Sequence, residues 1–195
     1  MLPPTLSRRV RRQHGVAAVE FALVLPFLLM MAVPVFDLAR IVQGDMILTN
    51  LSREGANLAS RSSQDPQTIM TALAMTTPPL DMASNGSIYI SKIMGNGPGK
   101  QNVILEHYRW TQGPQQASKV WSCSSWASDG TGKCTSIPSA GSPINDAMSN
   151  QLANGEVIYV VEGLYRANIL FAGMSLGFGA QTPQLSGNLY AKTIF

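Results

Sequence analysis

Apolar positions run almost unbroken from Val16 to Phe36, recur at helical spacing to Arg61, and beyond residue 86 alternate with polar ones. These three patterns predict three kinds of structure. The first stretch holds twenty-one residues whose only charge is Glu20. At about 1.5 Å per residue it just covers the roughly 30 Å of a bilayer core. Past Asp37, Leu38, Ile41, Val42, Leu48, Leu51 and Leu58, with Ala39, Gly55, Ala56 and Ala59, return at helical spacing, while Asp45, Arg53, Glu54 and Arg61 stay polar. One helix from Val16 to Arg61, roughly 69 Å long, is expected, its first half facing lipid and its second half facing a domain. Pro26 and Pro34 should kink or loosen it, a break that lipid tolerates.

Asp65-Pro66 is a helix-start pair, and Ile69, Met70, Leu73 and Ala74 predict a short amphipathic helix ending before Pro78-Pro79. The period then changes from helical to alternating. Ser87 to Met94 reads as a half-buried strand, Asn102 to Trp110 as a less regular one, and the GNGPG between them as a turn. Residues 111–142 show no period and predict an irregular loop, with a short helix at Pro143 to Leu152. Gly155 to Ala167 and Gly187 to Phe195 predict two further strands, joined by a glycine-rich apolar connection. The expected fold class is α+β: the long transmembrane-plus-amphipathic helix packed against a small antiparallel sheet of about four strands, in two pairs. No internal repeat is present.

Charge sharpens the membrane reading. The net charge is +3, but Arg8, Arg9, Arg11 and Arg12 supply four positives in the first fifteen residues, where no acid occurs. Beyond Gly15 ten basic residues face eleven acidic ones. A short basic block beside an apolar span is a topology signal, placing the N-terminus in the cytoplasm and everything after Phe36 outside. It is not the basic face interleaved with aromatics that nucleic acid requires, and no nucleic-acid partner is expected. The segments are a basic leader (1–15), a transmembrane segment (16–36), its amphipathic continuation (37–61) and an extracytoplasmic α+β domain (62–195). The span is longer than the apolar core of a cleaved secretory signal and leads straight into more helix, so it should stay attached.

Cys123 and Cys134 are the only cysteines, with ten residues between them, in the loop at 111–142. In an oxidising compartment they would pair and stabilise the domain by roughly 2–3 kcal/mol; in a reducing one they would be free thiols. Neither lies near the apolar span, which excludes a lipoprotein-type anchor. Trp110, Trp121 and Trp126 surround this loop. They form a candidate recognition surface, or else they cover a small core.

Glu20 is the acid that the pattern does not explain. A carboxylate in a span costs about 2.5–3.5 kcal/mol at the bilayer centre, which argues for a partner. Cleavage after Gly15 would give Val16 a positive amine, and Glu20 on an adjacent subunit would be placed to neutralise it. The segment from Arg11 to Pro26, RRQHGVAAVEFALVLP, resembles the N-terminus of TadE-like proteins, the TadE/TadF-type minor pilins or pseudopilins of Tad (Flp) type IV pili. Asp37-Leu38-Ala39-Arg40 and Leu51-Ser52-Arg53-Glu54-Gly55-Ala56 resemble the continuation of the same helix, so the likeness spans residues 8 to 61.

The resemblance implies a pilin-like subunit with no catalytic residues, cofactor or metal. It implies processing at Gly15 and Val16 by a membrane-embedded prepilin peptidase, and assembly determinants at Glu20 and Phe21. The implied partners are other pilin or pseudopilin subunits, an inner-membrane assembly platform and the lipid bilayer. The implied location is the bacterial inner membrane and, in the pilus, the cell exterior, where such subunits serve adhesion. An uncleaved single-pass anchor presenting a periplasmic binding or sensing domain is the alternative. Two departures stand out: the C-terminus, AKTIF, lacks the basic ending of many relatives, and the cysteine loop extends the outer region. Gly173 to Gly177 matches the G-x-S-x-G nucleophile pattern around Ser175, but no acid or histidine follows it, as an esterase of that type requires. His14 and His107, the only histidines, are too far apart in sequence to signal a metal site.

Overall fold

A computed structural model describes residues 14–134, 152–170 and 187–195. The basic leader, most of the helix expected at Pro143 to Leu152, and the Ser175 motif lie outside the described residues. Helix α1 (His14–Arg61) runs unbroken through Pro26 and Pro34, so neither proline ends it. Helix α2 (Pro66–Met75) starts as its sequence predicts, with the Asp65 carboxylate accepting from the Gln67 amide at 2.9 Å. A one-turn helix, α3 (Met82–Asn85), capped by Asp81, leads into the sheet and was not expected.

The four strands are β1 (Gly86–Met94), β2 (Val103–Arg109), β3 (Val157–Arg166) and β4 (Asn188–Ile194). They form one antiparallel sheet of order β2-β1-β3-β4. The two expected pairs therefore merge. Ile90 of β1 stands opposite Tyr108 on one side and Val161 on the other. The irregular alternation of β2 has a local cause. Lys92 faces Glu106 but Ile93 faces Ile104, so Leu105 is an extra residue and the strand bulges there.

Alternation along the strands splits the interior into two cores. Leu48, Leu51, Ala56, Leu73, Ile88, Ile90 and Val161 fill the layer between the helices and one face of the sheet. Ile93, Ile104, Val120, Leu152, Ile158 and Val160 fill the layer between the other face and the cysteine loop. The molecule is thus three layers deep where it was expected to be two.

The buried stripe on α1 differs in detail from the expected one. Leu48, Leu51, Gly55, Ala56 and Ala59 are buried, as are Asp37, Gly44 and Ser52, while Leu38, Ala39 and Val42 are exposed. Small residues at the contact let α1 approach closely. A Cβ on Gly55 would lie 2.8 Å from Leu73 Cδ1 and 2.9 Å from Val161 Cγ1, so a side chain there would have to displace both the sheet and α2. Ser52 adds a polar pin, its hydroxyl 2.8 Å from that of Thr193 on β4.

The cysteine loop is more regular than its sequence suggests. Cys123 and Cys134 are joined, with Cα atoms 5.1 Å apart. Between them a miniature hairpin turns at Asp129-Gly130, with Gly130 at φ +81° and the Asp129 carboxylate accepting from the Thr131 amide at 2.9 Å. The Arg109 amide donates to the Gly130 carbonyl at 2.9 Å and the Gly132 amide to the His107 carbonyl at 2.8 Å, which docks the hairpin on the β2 edge. The Asp-Gly pair is a recognised hairpin signal. With only isolated bridges around it, the flanking residues carry no alternation that would have drawn attention to it.

Candidate functional site

The first half of α1 touches nothing else in the described chain. Every residue from Gly15 to Met31 is exposed, Val16 and Phe21 at 63% and 60%, and Glu20 stands among them. A Cβ on Gly15 would meet nothing within 4 Å, so no packing among the described residues demands glycine there. The helix is long and apolar enough to cross a membrane, with a mean hydropathy of 2.4 in its most apolar window. Apolar side chains left in contact with no protein require another apolar environment, either lipid or further helices.

One apolar line runs along α1 from this exposed half into the next. Glu20 and Leu38 are eighteen residues apart, five turns at 3.6 residues per turn, and so share a face. Val24, Leu28, Met31, Val35, Leu38 and Val42 follow at alternating steps of four and three, all of them exposed. That spacing lets two helices interlock along a seam. Leu38 and Val42 are exposed too, although they lie past the apolar stretch 16–36. The domain packs on the other side, through Gly44, Leu48, Gly55 and Ala59.

Of the two readings left open for the three tryptophans, their placement fits the covering of a core. Trp110 is 5% exposed within the core under α2, and its Nε1 donates to Thr71 Oγ1 at 3.2 Å. Trp121 is half-buried against the second core. Trp126, also half-buried, tilts against His107 and Tyr89 with ring centroids 5.2 and 5.8 Å away, and the Arg109 guanidinium lies 4.7 Å above it. Trp121 and Trp126 therefore hold the loop layer to the sheet.

Two buried polar groups sit beneath that layer: Glu162, which was not singled out from the sequence, and His107, which was weighed there only as a metal ligand. The Glu162 carboxylate, 0% exposed, accepts from the Lys119 and Val120 amides at 3.0 and 3.1 Å, from the Tyr190 hydroxyl at 2.9 Å and from the Ser118 hydroxyl. Four donors from the loop and from β4 thus converge on one acceptor, which stands in for the water it has lost. Burial raises the Tyr190 hydroxyl pKa, and the Glu162 charge adds to the shift. His107 is also 0% exposed, with Nδ1 2.8 Å from the Ser91 hydroxyl and its ring stacked on Tyr89. Burial pushes its pKa down to about 4. Both groups tie the loop layer to the sheet. Among the described residues no cluster of histidine, cysteine or acid suits a metal.

Residues 15–57 match the family model for TadE-like protein. The match covers the exposed half of α1 and most of its packed half, and it leaves out the sheet and the loop layer. No curated protein and no solved structure gives a significant match to the chain. The likeness read from residues 8 to 61 therefore stands on the helix.

Proposed function

We propose that this protein is a structural minor pilin or pseudopilin of a Tad (Flp) type IV pilus, cleaved after Gly15 by a prepilin peptidase. The observation that carries the reading is α1 itself. An apolar helix with a lone acid, exposed on all sides, runs without interruption into a helix buried on a sheet. In this reading the span first anchors the subunit in the inner membrane and later packs among other subunits, with Glu20 neutralising the terminal amine of a neighbour. The family match over residues 15–57 supports the same assignment. The subunit's contribution is assembly, and the outer domain is what it presents.

Intact mass of the protein from its native host tests the processing step. A mature chain beginning at Val16 is the expected result. A full-length chain in cells with an active peptidase would contradict the proposal and favour an uncleaved anchor.

A further inference from the structure

The end of the sheet nearest the span carries a groove that the assembly reading leaves unused. A Cβ on Gly44 would lie 2.7 Å from Leu189 Cδ1, so the start of β4 stands beside Gly44. Gly44 is eight residues past Phe36, about 12 Å along the helix axis. Asn188 and its partner Arg166 stand one step closer to the span, roughly 9 Å from its end. The headgroup layer of a bilayer reaches about 5–8 Å beyond the apolar core, so this end of the domain borders it. Two neighbours fit that setting. Leu170, just past β3, is 58% exposed, and the Arg40 guanidinium lies 5.8 Å from the Phe36 ring, as a cation does when its stem crosses an interface.

On the loop side of this end an open groove of about 590 Å³ lies between residues 114–119 and the ends of β3 and β4. Lys119 and Arg166 line it, with Asn85, Gln115, Gln116 and Asn188, and no carboxylate does. Among the described residues neither groove cation stands within salt-bridge distance of an acid. The acids close by are already engaged. Asp81 caps α3 by accepting from the Ser84 amide at 3.1 Å, and Glu162 is buried under its four donors. Lys119 is held by the Tyr190 ring 4.2 Å from its Nζ, which fixes its position without neutralising it.

We propose that this groove binds the phosphate of an anionic phospholipid headgroup in the leaflet on the domain's side, through Lys119 and Arg166. Bound lipid would fix the tilt of the outer domain against the membrane before the subunit leaves it. The proposal rests on residues 16–36 spanning the bilayer.

The full chain, reconstituted in phosphatidylcholine nanodiscs doped with phosphatidylglycerol and stripped to its tightly held lipids, is read by native mass spectrometry. Phosphatidylglycerol should remain on the wild-type chain, and Lys119→Gln and Arg166→Gln should each reduce its retention roughly five-fold. Arg166→Lys, which keeps the charge, should retain it. Both side chains are exposed, so the variants should melt with the wild type. Equal retention by the wild type and the double variant would overturn the proposal, because the charge would then act elsewhere, as in the Arg8–Arg12 block. Inorganic phosphate binding the detergent-solubilised chain as tightly as the lipid would overturn the lipid assignment. A chain that does not enter the disc would contradict the span itself, and the groove proposal with it.

Discussion

The two halves of α1 are built from similar residues and do opposite things. From Gly15 to Phe36 the helix buries almost nothing within its own chain, whereas from Asp37 to Arg61 one side is sealed against the sheet. The difference lies in the size of side chains and in the supply of polar partners. In the outer half, glycine, alanine and serine at the contact let backbone approach backbone, and Ser52 finds Thr193. In the inner half, large apolar side chains project all round, with Glu20 exposed among them. A single helix thus belongs to two interiors, one supplied by the fold and one by the membrane or the assembly.

Disrupting the fold's own interior should have the largest effects, and Glu162 is the most sensitive point. Glu162→Ala strands the Ser118 and Tyr190 hydroxyls and two loop amides, at about 1–3 kcal/mol for each group left without a partner. Water entering the space left by the carboxylate would satisfy some of these groups and hold the total to about 3–5 kcal/mol. Denaturant unfolding of the full chain in detergent, followed by tryptophan fluorescence, should show that loss. A change below about 1 kcal/mol would mean that the loop layer is not held from beneath.

His107 predicts a pH dependence confined to the same layer. Its folded pKa of about 4 lies below the ordinary 6.5, so between these values the unfolded chain binds the extra proton. Stability should therefore be fully present above pH 6.5 and fall as pH drops toward 4, by up to about 3 kcal/mol. His107→Gln should flatten that part of the profile in a pH series of unfolding midpoints. An unchanged slope would show that other groups carry it.

The glycines give the most direct contrast between the halves. Gly55→Val should cost about 1–3 kcal/mol through overpacking against Leu73 and Val161. Gly15→Ala should stay within about 0.5 kcal/mol, since open space surrounds it, yet reduce removal of the leader. Thermal melting reads the first effect and intact mass the second. Equal stability losses at the two positions would erase the distinction between the halves.

What could be read in the sequence follows the same division. The long apolar helix, the α2 cap at Asp65-Pro66 and the four strands were legible because each rests on a local pattern of period, cap or alternation. The joining of β1 to β3 was not, since the partners lie some seventy residues apart and no local signal specifies such a pairing. Trp110 stayed open between two readings because an aromatic beside a loop looks alike whether it points outward or under α2. Glu162 was hidden within a hydrophobic strand, where a lone acid becomes intelligible only once Ser118, Val120 and Tyr190 are seen around it. The Leu105 bulge blurred β2, and His107 with it.

Glu20→Val in the native host tests most directly whether the inner half of α1 completes its interior in the assembly. The variant subunit should insert in the membrane at normal levels, with pilus assembly, scored on pili sheared from the cells, strongly impaired. Normal piliation by that variant would contradict the account.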